Sequence, residues 1–300
     1  MTRMLVTGVG GFTGQHLIAR MRSRFPNVEI HGLVRSESPP LDGVAVQHAC
    51  DLNDPAAVQA LVYAVKPDQV VHLAGAAFVG RADVESFYRT NLLGTRNLLD
   101  ALAQLDRPPS AILVASSANV YGNQRLGAIS EDMTPDPVND YGVSKVGMEY
   151  VSRLYNSRLP IIITRPFNYT GVGQSTDFLI SKIVDHVRRR EPEITLGNTD
   201  VARDFSDVRD VVGAYLELLH NPQAIGQVVN ICSGQAYRLD DILEIIKELS
   251  NHDFAVVVDH KLVRANEIKE LWGDRSRLNS LIQNQERIPL RETLNWMLKY

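Results

Sequence analysis

The sequence predicts an α/β protein with one large parallel β-sheet, helices on both of its faces and a smaller lobe. Three observations support this fold class. Short runs of branched apolar residues alternate with helical patterns over residues 3–165, which is the order that βαβ units require. A glycine-rich turn directly follows the first of these runs. The length of 300 residues exceeds the roughly 250 residues of a large single α/β domain and allows an appended lobe.

The first part of the chain contains six predicted strands. They have the sequences MLVT, EIHGLV, VAVQH, QVVHL, AILVA and IIITR. Asp54 and Pro55 predict the start of a helix, because aspartate caps a first turn and proline fits the first helical position. The segment VESFYRTNLLGTRNLLDALAQL is predicted to form another helix, since its apolar residues recur at steps of three and four.

The pattern loosens beyond Arg165. The loop PFNYTGVGQST precedes a predicted helix that ends at the basic run 188–190. Asp207 is predicted to cap a helix that extends to about His220, and VVNIC and AVVVD are predicted strands. Pro289 opens the last predicted helix. These segments predict a second lobe packed on the first, with the chain passing between the two more than once.

The composition excludes several classes of function. The chain has 31 basic and 35 acidic residues and a net charge of −4, so we expect no nucleic-acid or anionic-membrane partner. Cys50 and Cys232 are far apart and lack metal-ligand neighbours, so we expect neither a disulfide framework nor a metal site. No stretch approaches the ~20 apolar residues that cross a bilayer, and no export segment is recognisable. We therefore expect a cytoplasmic protein.

The turn TGVGGFTG predicts a dinucleotide-binding site. Its glycines lie at three-residue spacing after a predicted strand and before a predicted helix. Glycine permits the tight turn, the approach of backbone N–H groups to a pyrophosphate and close packing of the helix on the sheet. A tight turn without a ligand is the alternative, which this context makes the weaker one. The predicted cofactor contacts in the turn are Gly8, Gly11, Phe12, Thr13 and Gly14.

Arg35 favours one of the two nicotinamide dinucleotides. It follows the second predicted strand, where an acid would bind the 2′-hydroxyl of NAD and a basic residue can bind the 2′-phosphate of NADP. Because the planar guanidinium suits phosphate, we favour NADP(H), with NAD(H) as the alternative. An exposed arginine without a partner is the competing interpretation.

Two short segments are further candidates for cofactor contacts. Asp51 and Leu52 follow the third predicted strand and are placed beside the adenine. Leu73, Ala74 and Gly75 follow the fourth predicted strand and offer the small side chains that a backbone needs beside a pyrophosphate. Tight packing alone would also explain these small residues.

The segment YGVSK, from Tyr141 to Lys145, indicates hydride-transfer chemistry when it is combined with the glycine turn and Ser117. The tyrosine and the lysine are four residues apart and share one face of a helix. An ammonium group and an oxidised nicotinamide nearby would lower a tyrosine pKa from about 10. The tyrosine could then exchange a proton with a sugar oxygen while a hydride moves to or from the nicotinamide. By itself, such a pair more often lies on a helix surface.

Together these motifs resemble the extended short-chain dehydrogenase/reductases of the nucleotide-sugar epimerase/dehydratase family. TGVGGFTG, HLAG, TNLLGTRNLL, SSANVYG, YGVSK, RPFNYTG and RDFSDVRDVVGAY occur in the order of the family. The resemblance implies a Rossmann-type doubly wound parallel sheet with a smaller mixed α/β substrate-binding lobe. Residues 1–168 plus about 204–232 would form the NAD(P)-binding domain. Residues from about 169–203 plus 233–300 would form the nucleotide-sugar-binding lobe.

The resemblance also assigns roles to individual residues. Ser117, Tyr141 and Lys145 would form the catalytic triad, and Lys145 would also hold the nicotinamide ribose. Further residues implied at the cofactor or between nicotinamide and sugar are Asn91, Ser116, Phe167 and Asn168. The family often forms homodimers through a four-helix bundle of helices around residues 84–105 and 141–156, so we expect a homodimer.

The second lobe resembles a narrower group within the family. The segments LGNTDVARDFSDVRD and RANEIKELWGD are similar to GDP-mannose 4,6-dehydratases and GDP-4-keto-6-deoxymannose reductases. The similarity implies that Arg203 and Arg264 grip the diphosphate and that Glu267 contacts the nucleotide ribose. Salt bridges between the lobes are the alternative. Further implied substrate contacts are Ser117, Ala118, Asn119 and Asn168.

Asn119 bears on which reaction of this group the protein catalyses. Dehydratases of this group carry an acid two positions after the catalytic hydroxyl, because they remove a C5 proton and expel the C6 hydroxyl. An amide cannot shuttle a proton near pH 7. This disfavours a dehydratase, and the resemblance to the reductases of the group then implies NAD(P)H-dependent reduction of the C4 ketone of GDP-4-dehydro-6-deoxy-D-mannose, or of a related nucleotide sugar, to GDP-6-deoxy-D-mannose.

Three alternatives stay open at this point. A reductase that forms GDP-6-deoxy-D-talose would deliver the hydride to the opposite face of the sugar. A nucleotide-sugar 4-epimerase would use the same triad and return the hydride from tightly held NAD. An NADP-sensing binding module would keep the fold without catalysis, although such a protein would be expected to have lost Tyr141 or Lys145.

Overall fold

The computed structural model describes residues 2–77, 83–123, 127–259, 270–282 and 287–300. A sheet of seven strands forms the larger part of the molecule. The elements up to residue 166 are β1 (Thr2–Thr7), α1 (Phe12–Arg24), β2 (Val28–Val34), β3 (Val46–Ala49), α2 (Pro55–Val65), β4 (Gln69–His72), α3 (Val84–Phe87), a π-helical segment (Tyr88–Gly94), α4 (Thr95–Ala103), β5 (Ala111–Ala115), a 3₁₀ turn (Ala118–Tyr121), α5 (Asp140–Arg153) and β6 (Ile161–Pro166).

The later elements belong partly to the same sheet and partly to two smaller sheets. They are β7 (Asn168–Thr170), α6 (Leu179–Arg188), β8 (Glu193–Leu196), β9 (Ala202–Asp207), α7 (Val208–Leu219), a 3₁₀ turn (Pro222–Ala224), β10 (Val228–Ile231), β11 (Ala236–Arg238), α8 (Leu239–Ser250), β12 (Ala255–Val258), β13 (Glu270–Leu271), α9 (Ser276–Leu281) and α10 (Leu290–Lys299).

The large sheet has the strand order β3-β2-β1-β4-β5-β6-β10, and every neighbouring pair is parallel. The order reverses direction between β1 and β4, and ligands of open α/β sheets bind in the crevice at such a point. This confirms the predicted doubly wound parallel sheet. All six predicted strands are present, and the segment VVNIC supplies the seventh as β10.

Both faces of the large sheet are buried. Side chains of successive residues in β1 point to opposite faces of the sheet. Met4 and Val6 pack with α1 and α7 in one apolar cluster, whereas Leu5 packs with α2 and α4 in another. This explains why the strands have nearly continuous apolar sequences. The two clusters fix the position of the sheet edge at which the strands end.

The second lobe is built around β9. This strand pairs in parallel with β7 and β13 and antiparallel with β11, and β8 pairs with β12. Helices α6, α8 and α10 share an apolar cluster that includes Ile183, Ile246 and Leu294. Leu278 of α9 and Ile282, which directly follows α9, pack instead in the cluster of the large sheet that contains α1 and α7. The chain thus crosses between the two parts several times, while the exact domain assignment stays a prediction.

Two helix starts predicted from local signals are confirmed. The Asp54 carboxylate accepts hydrogen bonds from the N–H groups of Ala56 and Ala57 at the start of α2, and the Asp207 carboxylate accepts one from the Arg209 N–H at the start of α7.

The long helix predicted from residue 84 is interrupted. Its middle, Tyr88–Gly94, is π-helical. The Thr95 hydroxyl donates to the Asn91 carbonyl oxygen at 2.6 Å, and a side chain inserted into the backbone ladder is a known cause of such a departure.

The described ranges contain neither a membrane-spanning helix nor a cluster of metal ligands. No helix in them is long and apolar enough to cross a bilayer. Within the same ranges, no group of three or more histidine, cysteine, aspartate or glutamate side chains is placed to hold a metal ion. Cys50 and Cys232 are free and buried.

Candidate active site

A cavity of about 650 Å³ lies between the carboxyl edge of the large sheet and the second lobe. Residues of both parts line it. The structure brings most predicted site residues to this one cavity: Gly8, Gly11, Phe12, Thr13, Gly14, Leu73, Gly75, Ser116, Ser117, Ala118, Asn119, Tyr141, Lys145, Phe167, Asn168 and Arg203.

The glycine turn between β1 and α1 forms a cradle that side chains would fill. Gly8 has a φ of +68°, and a Cβ there would lie 2.8 Å from the backbone nitrogen of Ala74. A Cβ on Gly14 would lie 2.5 Å from the carbonyl oxygens of Gly8 and Val9. These contacts require glycine because the turn packs tightly on itself and on the backbone after β4, and Gly8, Gly11 and Gly14 also line the cavity where a pyrophosphate would bind. The cradle fits the dinucleotide that the sequence predicts.

Asn91 shapes the opposite wall of this cradle. Its side chain is fully buried. The amide holds both backbone groups of Ala76, accepting from its N–H at 2.9 Å and donating to its carbonyl oxygen at 3.1 Å. It also donates to the Ser144 hydroxyl at 3.0 Å. Asn91 thus acts through Ala76, which lines the cavity, and links that wall to α5, the helix that carries Tyr141.

Tyr141 and Lys145 lie on the first turns of α5, which begins where the Asn139 side chain accepts from the Gly142 N–H at 2.8 Å. Tyr141 and Ser117 both line the cavity, and Ser117 acts to lower the pKa of Tyr141. The Lys145 ammonium is 6.0 Å from the centre of the Tyr141 ring and donates to the Ala115 carbonyl oxygen at 2.7 Å. The three residues predicted from the sequence therefore meet in one corner of the cavity.

Burial dominates the electrostatics of this corner. It raises the pKa of Tyr141 to about 12, although Ser117 acts in the lowering direction. The lowering expected from Lys145 and an oxidised nicotinamide applies to the protein with its cofactor bound and stays a prediction. Burial also lowers the pKa of Lys145 to about 8. At neutral pH Tyr141 is therefore a protonated phenol, which can donate a proton.

Asn119 lies beside Ser117 at the cavity. Its backbone N–H and its side-chain amide donate to the Ser117 hydroxyl oxygen at 3.2 and 3.1 Å. Ser117 thereby caps the 3₁₀ turn Ala118–Tyr121. No carboxylate takes the place of Asn119, so this position offers hydrogen-bond donors and no acid.

A model of the family described as GDP-mannose 4,6 dehydratase matches residues 5–297. The chain belongs to this family. Among its relatives, GDP-6-deoxy-D-talose 4-dehydrogenase of Aggregatibacter actinomycetemcomitans is 34% identical over 99% of this chain and 97% of its own length. GDP-6-deoxy-D-mannose reductase of Pseudomonas aeruginosa is 32% identical over 99% and 96%. Like these relatives, the chain is an NAD(P)-dependent oxidoreductase that belongs to the nucleotide-sugar enzymes.

Solved structures show the same architecture over the whole chain. A candidate epimerase from Burkholderia cenocepacia superposes with a TM-score of 0.93 at 44% identity, covering 99% of this chain and 97% of that one. RMD from Pseudomonas aeruginosa, solved with NADPH, superposes with a TM-score of 0.87 at 30% identity, covering 100% and 98%. The Rossmann-type fold and the two-part arrangement are thus shared with the family.

Behind the triad lies a buried ion pair that the sequence analysis missed. The Glu149 carboxylate accepts from the Arg165 guanidinium at 2.9 and 2.7 Å and from the Ser116 hydroxyl at 2.6 Å. Its charge acts to raise the pKa of Lys145. The available signal was spacing, because Tyr141, Lys145 and Glu149 recur every four residues along α5 and so share one face.

The floor of the cavity contains two further tyrosines that the sequence analysis did not single out. The Tyr169 hydroxyl is 2.8 Å from the Thr13 hydroxyl, which ties β7 to the cofactor turn. Tyr215 of α7 is fully buried and also lines the cavity. Both lie inside motifs that the family resemblance had already marked, RPFNYTG and RDFSDVRDVVGAY.

The second lobe supplies the rest of the cavity wall. Arg203 lines it and donates to the Ala202 carbonyl oxygen at 2.9 Å. Its predicted partners at the nucleotide, Arg264 and Glu267, lie outside the described residues. The wall also includes residues that sequence reasoning did not select, from the loop before α6, the start of α6, the end of β8 and the loop after it: Gln174, Phe178, Leu179, Leu196, Gly197 and Asn198.

Besides Asn91, which acts through Ala76, four predicted cofactor residues do not line the cavity. Arg35 and Asp51 are exposed at the ends of β2 and β3. The backbone of Ala74 closes against Gly8, and its N–H donates to the Thr7 hydroxyl at 3.1 Å. Leu52 is 4% exposed and packs in the apolar cluster that contains α2 and α4. Their contacts with a cofactor stay predictions.

Proposed function

We propose that the protein reduces the C4 ketone of GDP-4-dehydro-6-deoxy-D-mannose to GDP-6-deoxy-D-mannose. One observation carries the proposal: a protonated Tyr141 lines the cavity together with Ser117, and Asn119 stands where a dehydratase would need an acid. This set can protonate a carbonyl oxygen but cannot remove water from the sugar. The relatives that act on GDP-6-deoxyhexoses support the choice of substrate.

Each residue of the site has a separate role in the proposed reduction. A nicotinamide dinucleotide with its pyrophosphate against the glycine turn would supply the hydride from its nicotinamide ring. Tyr141 gives its proton to the carbonyl oxygen as the C4–O bond becomes an alcohol, and Ser117 donates a hydrogen bond to that oxygen. Lys145 lies near the phenolate that forms on Tyr141 and stabilises its charge. Arg203 binds the diphosphate of the substrate.

NADPH is the proposed hydride donor. Arg35 directly follows β2, is exposed and has no ion-pair partner in the portion of the chain that the structure describes. A guanidinium free in this place suits a 2′-phosphate. NADH is the alternative, because the cradle itself contacts parts that the two cofactors have in common.

A second product is favoured by a specific observation. The relative that acts on GDP-6-deoxy-D-talose is as similar to the chain as the GDP-6-deoxy-D-mannose reductase, at 34% against 32% identity. The two products differ only at C4, by the face of the sugar that receives the hydride. The triad would act in the same way in both cases.

One experiment tests these proposals together. The enzyme is mixed with GDP-4-dehydro-6-deoxy-D-mannose and either NADPH or NADH, and the product is identified by NMR. We expect oxidation of NADPH and GDP-6-deoxy-D-mannose. A talo configuration at C4 would replace the proposed product, and a failure to oxidise either cofactor would refute the reductase. Interconversion of two nucleotide sugars without added cofactor would identify an epimerase.

We also propose that the protein forms a homodimer through α3, the π-helical segment and α5. Their outer faces carry apolar side chains that are exposed in the single chain: Val84, Leu93, Val143, Tyr150 and Leu154, with exposed fractions of 42–72%. A second copy would cover this surface with the same helices and form a four-helix bundle.

A further inference from the structure

The hydroxyl oxygen of Ser117 accepts two hydrogen bonds from one neighbouring residue. Its oxygen receives the backbone N–H of Asn119 at 3.2 Å and the side-chain amide of Asn119 at 3.1 Å. Ser117 and Tyr141 both line the cavity, and Ser117 acts to lower the pKa of Tyr141. Ser117 is 6% exposed, so solvent has little access to compete for these positions.

The inventory of protons and lone pairs decides the direction of the remaining bond. A serine hydroxyl has one proton to donate and two lone pairs that can accept. Both acceptor positions are taken by N–H groups of Asn119, which can only donate. The single proton of Ser117 is therefore left for the oxygen of Tyr141, or for a substrate oxygen that lies against both hydroxyls.

We propose that Asn119 is a positioning residue that fixes the Ser117 hydroxyl as a hydrogen-bond donor towards Tyr141 and the reacting carbonyl oxygen. The identity of that carbonyl rests on the proposed function, but the direction of the hydrogen bond does not. Position 119 thus does more than lack an acid, because its amide holds the neighbouring hydroxyl in the orientation that a reduction needs.

This direction matters for the reaction. Negative charge develops on the carbonyl oxygen when the hydride arrives, and a donor already aimed at that oxygen stabilises it. If Ser117 instead accepted the Tyr141 proton, the proton would be held away from the substrate. The other polar groups that face Tyr141 are Lys145 on the same helix and Tyr169 from β7. Neither contacts Ser117 in the described residues, so neither can replace Asn119.

The substitution Asn119→Asp reverses the donor with almost no change of shape. The carboxylate can only accept, so it takes the Ser117 proton and leaves Tyr141 and the substrate without that donor. Protonation of the new carboxyl at low pH restores one O–H donor. The kcat of the variant relative to wild type is therefore expected to rise as the pH falls through the pKa of the introduced carboxyl group.

A double-mutant cycle tests whether the effect passes through Ser117. Wild type, Asn119→Asp, Ser117→Ala and the double variant are compared at pH 8 for kcat and for the KM of NADPH. We expect each single variant to lose kcat on the order of 100-fold, with the cofactor KM unchanged, and the double variant to lose little more than either. The exposed Asn27→Asp adds the same charge far from the site and should behave as wild type.

Two results would overturn the proposal. An Asn119→Asp enzyme with the kcat of wild type shows that the amide does not orient Ser117. An equal loss in the Ser117→Ala background shows that the carboxylate acts on Tyr141 by its charge alone. Retained circular dichroism spectra and melting temperatures exclude misfolding as the cause of a loss.

A readout without substrate separates this proposal from the proposed function. The protein is labelled with tyrosine carrying ¹³C at Cζ, and Tyr141 is assigned through Tyr141→Phe. We expect the Cζ shift of Tyr141 at pH 8 to move in the same direction in Asn119→Asp and Ser117→Ala, since both remove the donor. If it does so while no keto sugar is reduced, the function is wrong and the role of Asn119 stands. An unmoved shift in Asn119→Asp refutes that role.

Discussion

Tyr141 shows how burial sets the chemistry of a single side chain. The sequence placed it four residues before Lys145 and led to the expectation of a lowered pKa. In the folded protein, loss of solvent raises that pKa to about 12. The neutral phenol suits a group that must give a proton at neutral pH.

Tyr141→Phe is expected to abolish hydride transfer, because no other group in contact with Ser117 can protonate the carbonyl oxygen. NADPH binding should be retained, since the ring still fills its place beside Phe87. Stopped-flow NADPH oxidation measures the first effect and fluorescence titration of NADPH the second. The control is Tyr150→Phe, on the exposed side of the same helix. Turnover that survives in Tyr141→Phe would mean that the proton donor is another group.

Glu149→Gln should move the alkaline limb of the pH profile of kcat/KM to lower pH. Removing a negative charge from beside Lys145 destabilises the ammonium, so the pKa of Lys145 falls below its present value of about 8. Activity that depends on the charged lysine is then lost at a lower pH than in wild type.

The same variant should also lower the free energy of unfolding. It leaves the Arg165 guanidinium, whose side chain is 2% exposed, without a counter-charge, which costs about 3–5 kcal/mol. Urea denaturation measures the loss. Glu85→Gln breaks a pair in which both side chains are 62% exposed and should change neither stability nor the pH profile. An unshifted profile in Glu149→Gln would remove Glu149 from the tuning of Lys145.

At the scale of elements, the turn between β1 and α1 is the most demanding piece of backbone. Gly14→Ala should abolish cofactor binding, because its Cβ would lie 2.5 Å from two carbonyl oxygens and the turn would have to move. Gly10→Ala is the matched control, since the nearest atom to its Cβ is a Leu41 methyl group at 3.6 Å. Fluorescence titration with NADPH compares the two. Equal affinity in both variants would show that the cradle is not the binding site.

The segment between α3 and α4 marks the limit of periodicity as a predictor of elements. The apolar spacing around Leu98 and Leu102 correctly predicted a helix that faces the core. Within the π-helical stretch, the Asn91 carbonyl oxygen accepts from the Thr95 hydroxyl and the Asn91 side chain accepts from the Ala76 N–H. Such contacts reach across 15 residues of chain in the second case, and a periodic pattern of side chains carries no information about them.

At the scale of the whole molecule, the exposed apolar surface of α5 predicts the oligomeric state. Tyr150→Glu combined with Leu154→Glu would place two charges in the proposed bundle and should give a monomer. Their exposed fractions of 56% and 72% imply that the single chain tolerates the change. Light scattering at micromolar concentration distinguishes the two states. A wild-type monomer would refute the dimer, and a dimeric double variant would place the interface elsewhere.

The sequence by itself determined the strands of the large sheet, the cofactor turn and the pairing of Tyr141 with Lys145. Each of these rests on spacing within a few residues, where backbone geometry alone decides which side chains share a face or a turn. The resemblance of the whole set of motifs then indicated the family, which the comparisons confirmed.

Only the tertiary structure decided which groups are buried together. The ion pair of Glu149 with Arg165, the grip of Asn91 on Ala76 and the exclusion of Leu52 from the cavity all join segments that are remote in sequence. Their strength and their effects on pKa come from loss of solvent, and solvent is lost only when the sheet, α5 and the second lobe close on one another. The direction of the Ser117 hydrogen bond is such a property, because it follows from all the neighbours that the fold assembles around one oxygen.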